Sequence, residues 1–197
     1  MYVNNNGNLT FNGSLSTYTP FGLTATNKEI IAPYFADVDT RGPSSGVVTY
    51  GTSTVDGHKA FGVNYPNVGY YRDHTDKLNN FQVVLIDRSD TGAGNFDIEY
   101  NYNKIQWETG DASGGNKSLG GTSVHVGYSN GSGNPGTFFE LGGSGTPGSF
   151  LDSNMATGLI NHAINSDVAG RYVFSTRNGS IIAPPSELSP SPAFLTN

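Results

Sequence analysis

Residues 68–86 read VGYYRDHTDKLNNFQVVLI. β-branched and aromatic residues crowd the two ends, 68–71 and 81–86, and nine mostly polar residues, RDHTDKLNN, lie between. Two such runs around a polar connection predict two strands joined by an exposed loop. The second run, FQVVLI, is apolar at almost every position, so both of its faces are expected to be covered and the strand to lie centrally in a sheet. The central loop is expected to offer Tyr71, Arg72, Asp73, His74 and Asp76 as binding residues, with one tyrosine of Tyr70-Tyr71 on each side of the sheet.

Outward from this pair, the same patterns recur. An Asn-Gly at Asn6-Gly7 between Val3 and Leu9 predicts an opening hairpin. Residues 30–41, IIAPYFADVDTR, begin as a buried strand and end in Asp37-Val38-Asp39, whose two carboxylates share a face if the strand continues. Residues 59–65 place Phe61, Val63 and Tyr65 on one face. Residues 96–102 alternate Phe96, Ile98, Tyr100 and Tyr102 against Asp97, Glu99 and Asn101, the pattern of a half-exposed antiparallel strand. Val124, Val126 and Tyr128 alternate likewise. Residues 153–165, SNMATGLINHAIN, are the one helix candidate, with Met155, Leu159, His162 and Ala163 on one stripe. The last fifteen residues, APPSELSPSPAFLTN, hold four prolines and read as a linker.

The chain has 197 residues, 35% hydrophobic and only 13% charged, with 27 glycines. Length suits one domain with a real core, and composition suits an all-β fold with many turns. Eleven Phe and eleven Tyr argue against disorder. A formal net charge of −6 disfavours a nucleic-acid partner, because ten scattered basic residues cannot match a run of phosphates. No apolar run approaches the roughly 20 residues that span a bilayer, so no membrane insertion is expected. The absence of cysteine excludes disulfides and thiol chemistry.

Four pieces, IAPYFADVDTRG, VGYYRDHTDKLNNFQVVLI, YNYNKIQWETGDASGG and GRYVF, stand in that order. Together they closely resemble the nidogen-like (NIDO) extracellular domain over residues 3–174. The plain composition resembles a bacterial surface-protein copy of it. The resemblance implies an extracellular or cell-surface β module with an adhesive or structural role, and it brings no catalytic residues.

Asp37 and Asp39 carry the sharpest site expectation. Clustered carboxylates beside a Gly-rich turn suit Ca²⁺, which takes 6–8 oxygens. A structural network with Arg41 or Arg72 explains the same pair, and it is the favoured reading. His58, His74, His125 and His162 have no ligand spacing. Glu99 and Glu108 are the one carboxylate pair that glycoside hydrolysis would need, although Glu99 reads more simply as part of a solvated face. Trp107 follows Ile105 at strand spacing and is expected in the core.

These readings converge on an all-β sandwich of two antiparallel sheets with one short helix near the C-terminal end. The domain is expected over residues 1–182, followed by a Pro/Ser-rich tail at 183–197. The expected function is a non-catalytic adhesion or matrix-interaction module of a larger secreted or surface protein. Its partners would be an extracellular protein or glycan ligand and neighbouring domains. A lectin-like carbohydrate-binding module is the alternative, and a glycan-active enzyme the third reading.

Overall fold

The chain opens with the hairpin expected at Asn6-Gly7, formed by β1 (Tyr2–Asn4) and β2 (Asn8–Thr10). Gly7 has φ +71°, and a Cβ there would lie 1.8 Å from the Tyr34 carbonyl oxygen, so both conformation and space require glycine. The strands that follow are β3 (Glu29–Phe35), β4 (Val38–Asp39), β5 (Thr49–Val55), β6 (His58–Tyr70), β7 (His74–Asp87) and β8 (Phe96–Lys104). After a long loop come β9 (His125–Asn130), β10 (Phe138–Glu140), β11 (Arg171–Arg177) and β12 (Ser180–Ile181). The computed structural model describes residues 1–181.

Two antiparallel sheets result. One runs β1-β2-β3-β9-β10; the other runs β12-β11-β8-β7-β6-β4, with β5 also paired to β6. β7 is central, as expected. The chain changes sheets between Phe35 and Val38, so the run through Asp37 and Asp39 is not one strand. Pro33 lies inside β3, where the register against β9 shifts between Ala32 and Phe35. Proline has no N–H for a ladder, so the irregularity falls where the sequence requires it.

Inward side chains of both sheets form one core, led by the fully buried Trp107 with Tyr34, Tyr65, Tyr100 and Phe81. Burying tyrosine needs a partner for each hydroxyl. Here the partners are backbone carbonyls of the facing sheet. Tyr65 donates to Asn4 at 2.8 Å, Tyr100 to Gly127 at 2.7 Å and Tyr102 to Pro33 at 2.6 Å. The sheets are thus joined by directional bonds as well as by apolar contact.

Several expectations need correction. The helix over 153–165 is instead a series of turns ending in a short 3-10 turn at Leu159–Asn161. The Asn154 side chain accepts from the Ala156 and Thr157 amides, Asn161 donates to the Asp152 and Asn154 carbonyls, and Gly158 is extended. These local side-chain bonds outcompete a helical ladder. Leu159 is nevertheless buried in the core. The central polar loop is shorter than expected, because β7 begins at His74 and pairs through its polar half with β6. Asp97 and Glu99 do not lie on a solvated face. Both are buried, with Arg88 and Arg177 on Asp97 and Arg171 on Glu99. The tail at 183–197 lies outside the described residues.

Candidate functional site

The loop from β6 to β7 is reduced to Tyr71, Arg72 and Asp73, and the site is built around this turn. Its backbone is held from two sides. The Tyr71 amide donates to the Asp37 carbonyl at 3.1 Å, and the Tyr71 carbonyl accepts from the Asp111 amide at 2.7 Å. Asp37 comes from the crossover between the sheets and Asp111 from the long loop after β8, so three distant segments meet here.

Asp39 fixes the surroundings. Its carboxylate accepts from the Arg41 amide at 3.0 Å, from Arg41 Nε at 2.9 Å, from an Arg41 terminal nitrogen at 2.6 Å and from the Asp73 amide at 3.1 Å. The bidentate Arg41 guanidinium holds the Asp39 carboxyl down at about 2, against an ordinary 3.8. Arg41 is 63% exposed, so this pair sits at the rim of the site. Its Nε also lies 3.4 Å from Asp73.

Asp37 behaves differently. It is buried, and its Oδ2 accepts no hydrogen bond among the described residues. Gly110 packs directly on it; a Cβ at Gly110 would lie 2.6 Å from that oxygen. Burial, then the charges of Asp39 and Asp111, push the Asp37 carboxyl up from 3.8 to about 6.

On the next residues, His74 Nε2 lies 3.0 Å from Asp111 Oδ2, and its ring stacks on the buried Tyr70 at 4.6 Å. The Tyr70 hydroxyl donates to Asp76 at 2.9 Å. Tyr71 is half-exposed, so the expected division between the adjacent tyrosines holds. Two guanidiniums lie near the Tyr71 ring, Arg41 at 5.6 Å and Arg72 at 5.7 Å from its centre. Arg72 is exposed and pairs with no carboxylate among the described residues. The result is an aromatic ring with two cations close to it on a clamped turn.

All seven residues expected from sequence therefore fall in one region. Asp111 and Gly110 were missed, since nothing in the spacing of a Gly-rich loop places it against a turn 40 residues away. Asp39 is engaged by a guanidinium and amides, Asp76 by the Tyr70 hydroxyl and Asp111 by His74, while Asp37 Oδ2 stays without a donor among the described residues. Among the described residues, no three His, Asp or Glu side chains converge to hold a metal ion. Glu99 pairs with Arg171 on the outer side of its sheet, while Glu108 is fully buried and accepts from Gly148, Phe150 and Ser123.

Comparison with known proteins gives one consistent result. Residues 1–178 match the family described as the nidogen-like domain. Alpha-tectorin of Gallus gallus is 32% identical over 198 residues, covering 88% of this chain and 9% of its own length. Alpha-tectorin of Mus musculus is 32% identical and that of Homo sapiens 31%, each over 202 residues and 8% of its length. The chain thus spans under a tenth of the curated relatives it matches. No solved structure matches it.

Proposed function

The chain belongs to the nidogen-like domain family, a family of extracellular modules, and we propose that it acts as a non-catalytic adhesion or matrix-interaction module within a larger secreted or surface protein. The observation that carries this reading is the half-exposed Tyr71 ring with the exposed Arg41 and Arg72 beside it, on a turn clamped by Asp37, Asp39 and Asp111. Tyrosine and arginine dominate the energetics of protein interfaces because they combine large contact area with directional bonding. A turn fixed beforehand loses little freedom when it binds. The partner surface that fits is acidic, since Arg72 is an unpaired cation among the described residues of a chain with net charge −6. The engagement of Glu99 and Glu108 with structural partners favours the non-catalytic reading over glycan hydrolysis.

We read Asp37 and Asp39 as a structural network in preference to a Ca²⁺ site, because Arg41 and two amides already take both Asp39 oxygens. The test of the functional reading is surface plasmon resonance of the domain against a panel of purified extracellular matrix proteins. A binder should lose about tenfold or more in affinity with Arg72→Ala or Tyr71→Ala, a loss of at least 1.4 kcal/mol. Melting temperature should be unchanged. Binding that survives both substitutions would refute the assignment to this turn. Glycan-array binding lost in Tyr71→Ala would shift the reading to the lectin-like module.

A further inference from the structure

The sheet edges of this molecule are unequal. β1 and β10, which bound one sheet, have three residues each, and β4 on the other has two. Such short edges offer little to a passing strand. β5 is the exception. It runs seven residues, Thr49–Val55, with an unbroken register against β6. Six of the seven are exposed, and the sequence TYGTSTV has no charge, no proline and no bulge. Charge, proline and bulges are the usual devices that protect an edge from pairing.

We propose that β5 is a self-association edge, at which a second copy of this chain adds its own β5 antiparallel and joins the two larger sheets. A two-fold pairing centred on Thr52 sets Thr49 against Val55, Tyr50 against Thr54 and Gly51 against Ser53. Side chains directly opposed on one face are then β-branched, aromatic or small, which suits cross-strand packing. The chain's net charge of −6 would oppose contact between copies at most surfaces. Here no charged residue lies within the paired strands, and Asp56, just beyond, would oppose the apolar Val48.

A further observation favours a second copy. Tyr50 is 68% exposed, more than any other aromatic side chain among the described residues, and leans on Phe61 with ring centres 6.0 Å apart. Pairing would extend this apolar surface across the two-fold axis. A seven-residue edge buries less surface than a standard interface of about 1,600 Å², so the association is weak and relies on tethering for its effect.

The test uses the whole chain in sedimentation equilibrium up to about 1 mM, the concentration that captures an interaction of about −4.1 kcal/mol. The wild type should shift from monomer toward dimer. Thr52→Lys and Thr52→Glu, at an exposed position, should each stay monomeric with an unchanged circular dichroism spectrum. An equimolar mixture of the two should associate again. In the wild type, hydrogen exchange at the β5 amides should slow as concentration rises, a readout that needs no substitution. A wild type monomeric throughout the range would overturn the proposal. So would a Thr52→Lys chain that dimerises as well as the wild type, or β5 amides indifferent to concentration.

Discussion

The Tyr102 hydroxyl, on β8, donates 2.6 Å across the sandwich to the carbonyl of Pro33, at the point where the β3 ladder against β9 is interrupted. A proline that weakens one sheet is thereby compensated from the other. Tyr102→Phe keeps the ring and leaves that buried carbonyl unpaired. The expected cost is about 1–3 kcal/mol in denaturant unfolding with no change in slope. A midpoint equal to wild type would mean that the carbonyl finds another donor.

Asp39 gathers Arg41 and two amides at the base of the turn. Asp39→Ala should lower stability by about 1.5–3 kcal/mol, the range for hydrogen bonds to a charged group. Chelation with EDTA should leave the wild-type melting temperature unchanged. A fall with EDTA, restored by Ca²⁺, would assign a cation to the site instead, since a ligand specific for the folded state stabilises by mass action.

Asp37 gives the domain a recognisable pH signature. Its folded value of about 6 stands above the ordinary 3.8, so the folded state binds this proton more tightly. That contribution to stability is complete below about 3.8 and is lost as pH rises through about 6. Asp39, held down at about 2, contributes above 3.8 and fails only as pH falls toward 2. Between pH 7 and 4, therefore, wild type should gain stability relative to Asp37→Asn. Parallel melting curves for the two across that range would contradict the assignment.

Glu108 is fully buried and accepts from the Phe150 amide at 2.7 Å, the Gly148 amide at 2.5 Å and the Ser123 hydroxyl at 2.9 Å. Glu108→Gln substitutes a donor where donors already converge. A loss of about 1.5–3 kcal/mol is expected at neutral pH, read as a lowered unfolding midpoint.

Leu159 is buried although the helix expected to carry it does not form. Leu159→Ala should cost about 2–5 kcal/mol, the usual range for a buried leucine. An unchanged melting temperature would show that the turn collapses onto the gap.

What the sequence made legible follows a physical division. Alternation at Phe96–Tyr102 and at Phe61, Val63 and Tyr65 reports burial directly, so the strands and the two-sheet architecture could be read. The partners of outward residues could not. Asp97 and Glu99 alternate like solvated residues, yet Arg88, Arg177 and Arg171 bury them, because pairing across strands is set by register and not by local pattern. Residues 153–165 had helical spacing, but Asn154, Gly158 and Asn161 offered the backbone cheaper local bonds. At the site, Asp37, Asp39 and the turn residues were visible as motifs. Asp111 and Gly110 were not, since only the folded chain brings the long loop against the turn.

The placement of β1 and β12 in different sheets has a mechanical consequence. Tension applied at the two ends crosses the sandwich and does not run along a single strand. β1 is held by three pairs to β2 and by the Tyr65 hydroxyl on Asn4. Load entering at β1 would therefore reach the larger sheet through the Tyr65 hydroxyl and the shared core, and not through a strand ladder.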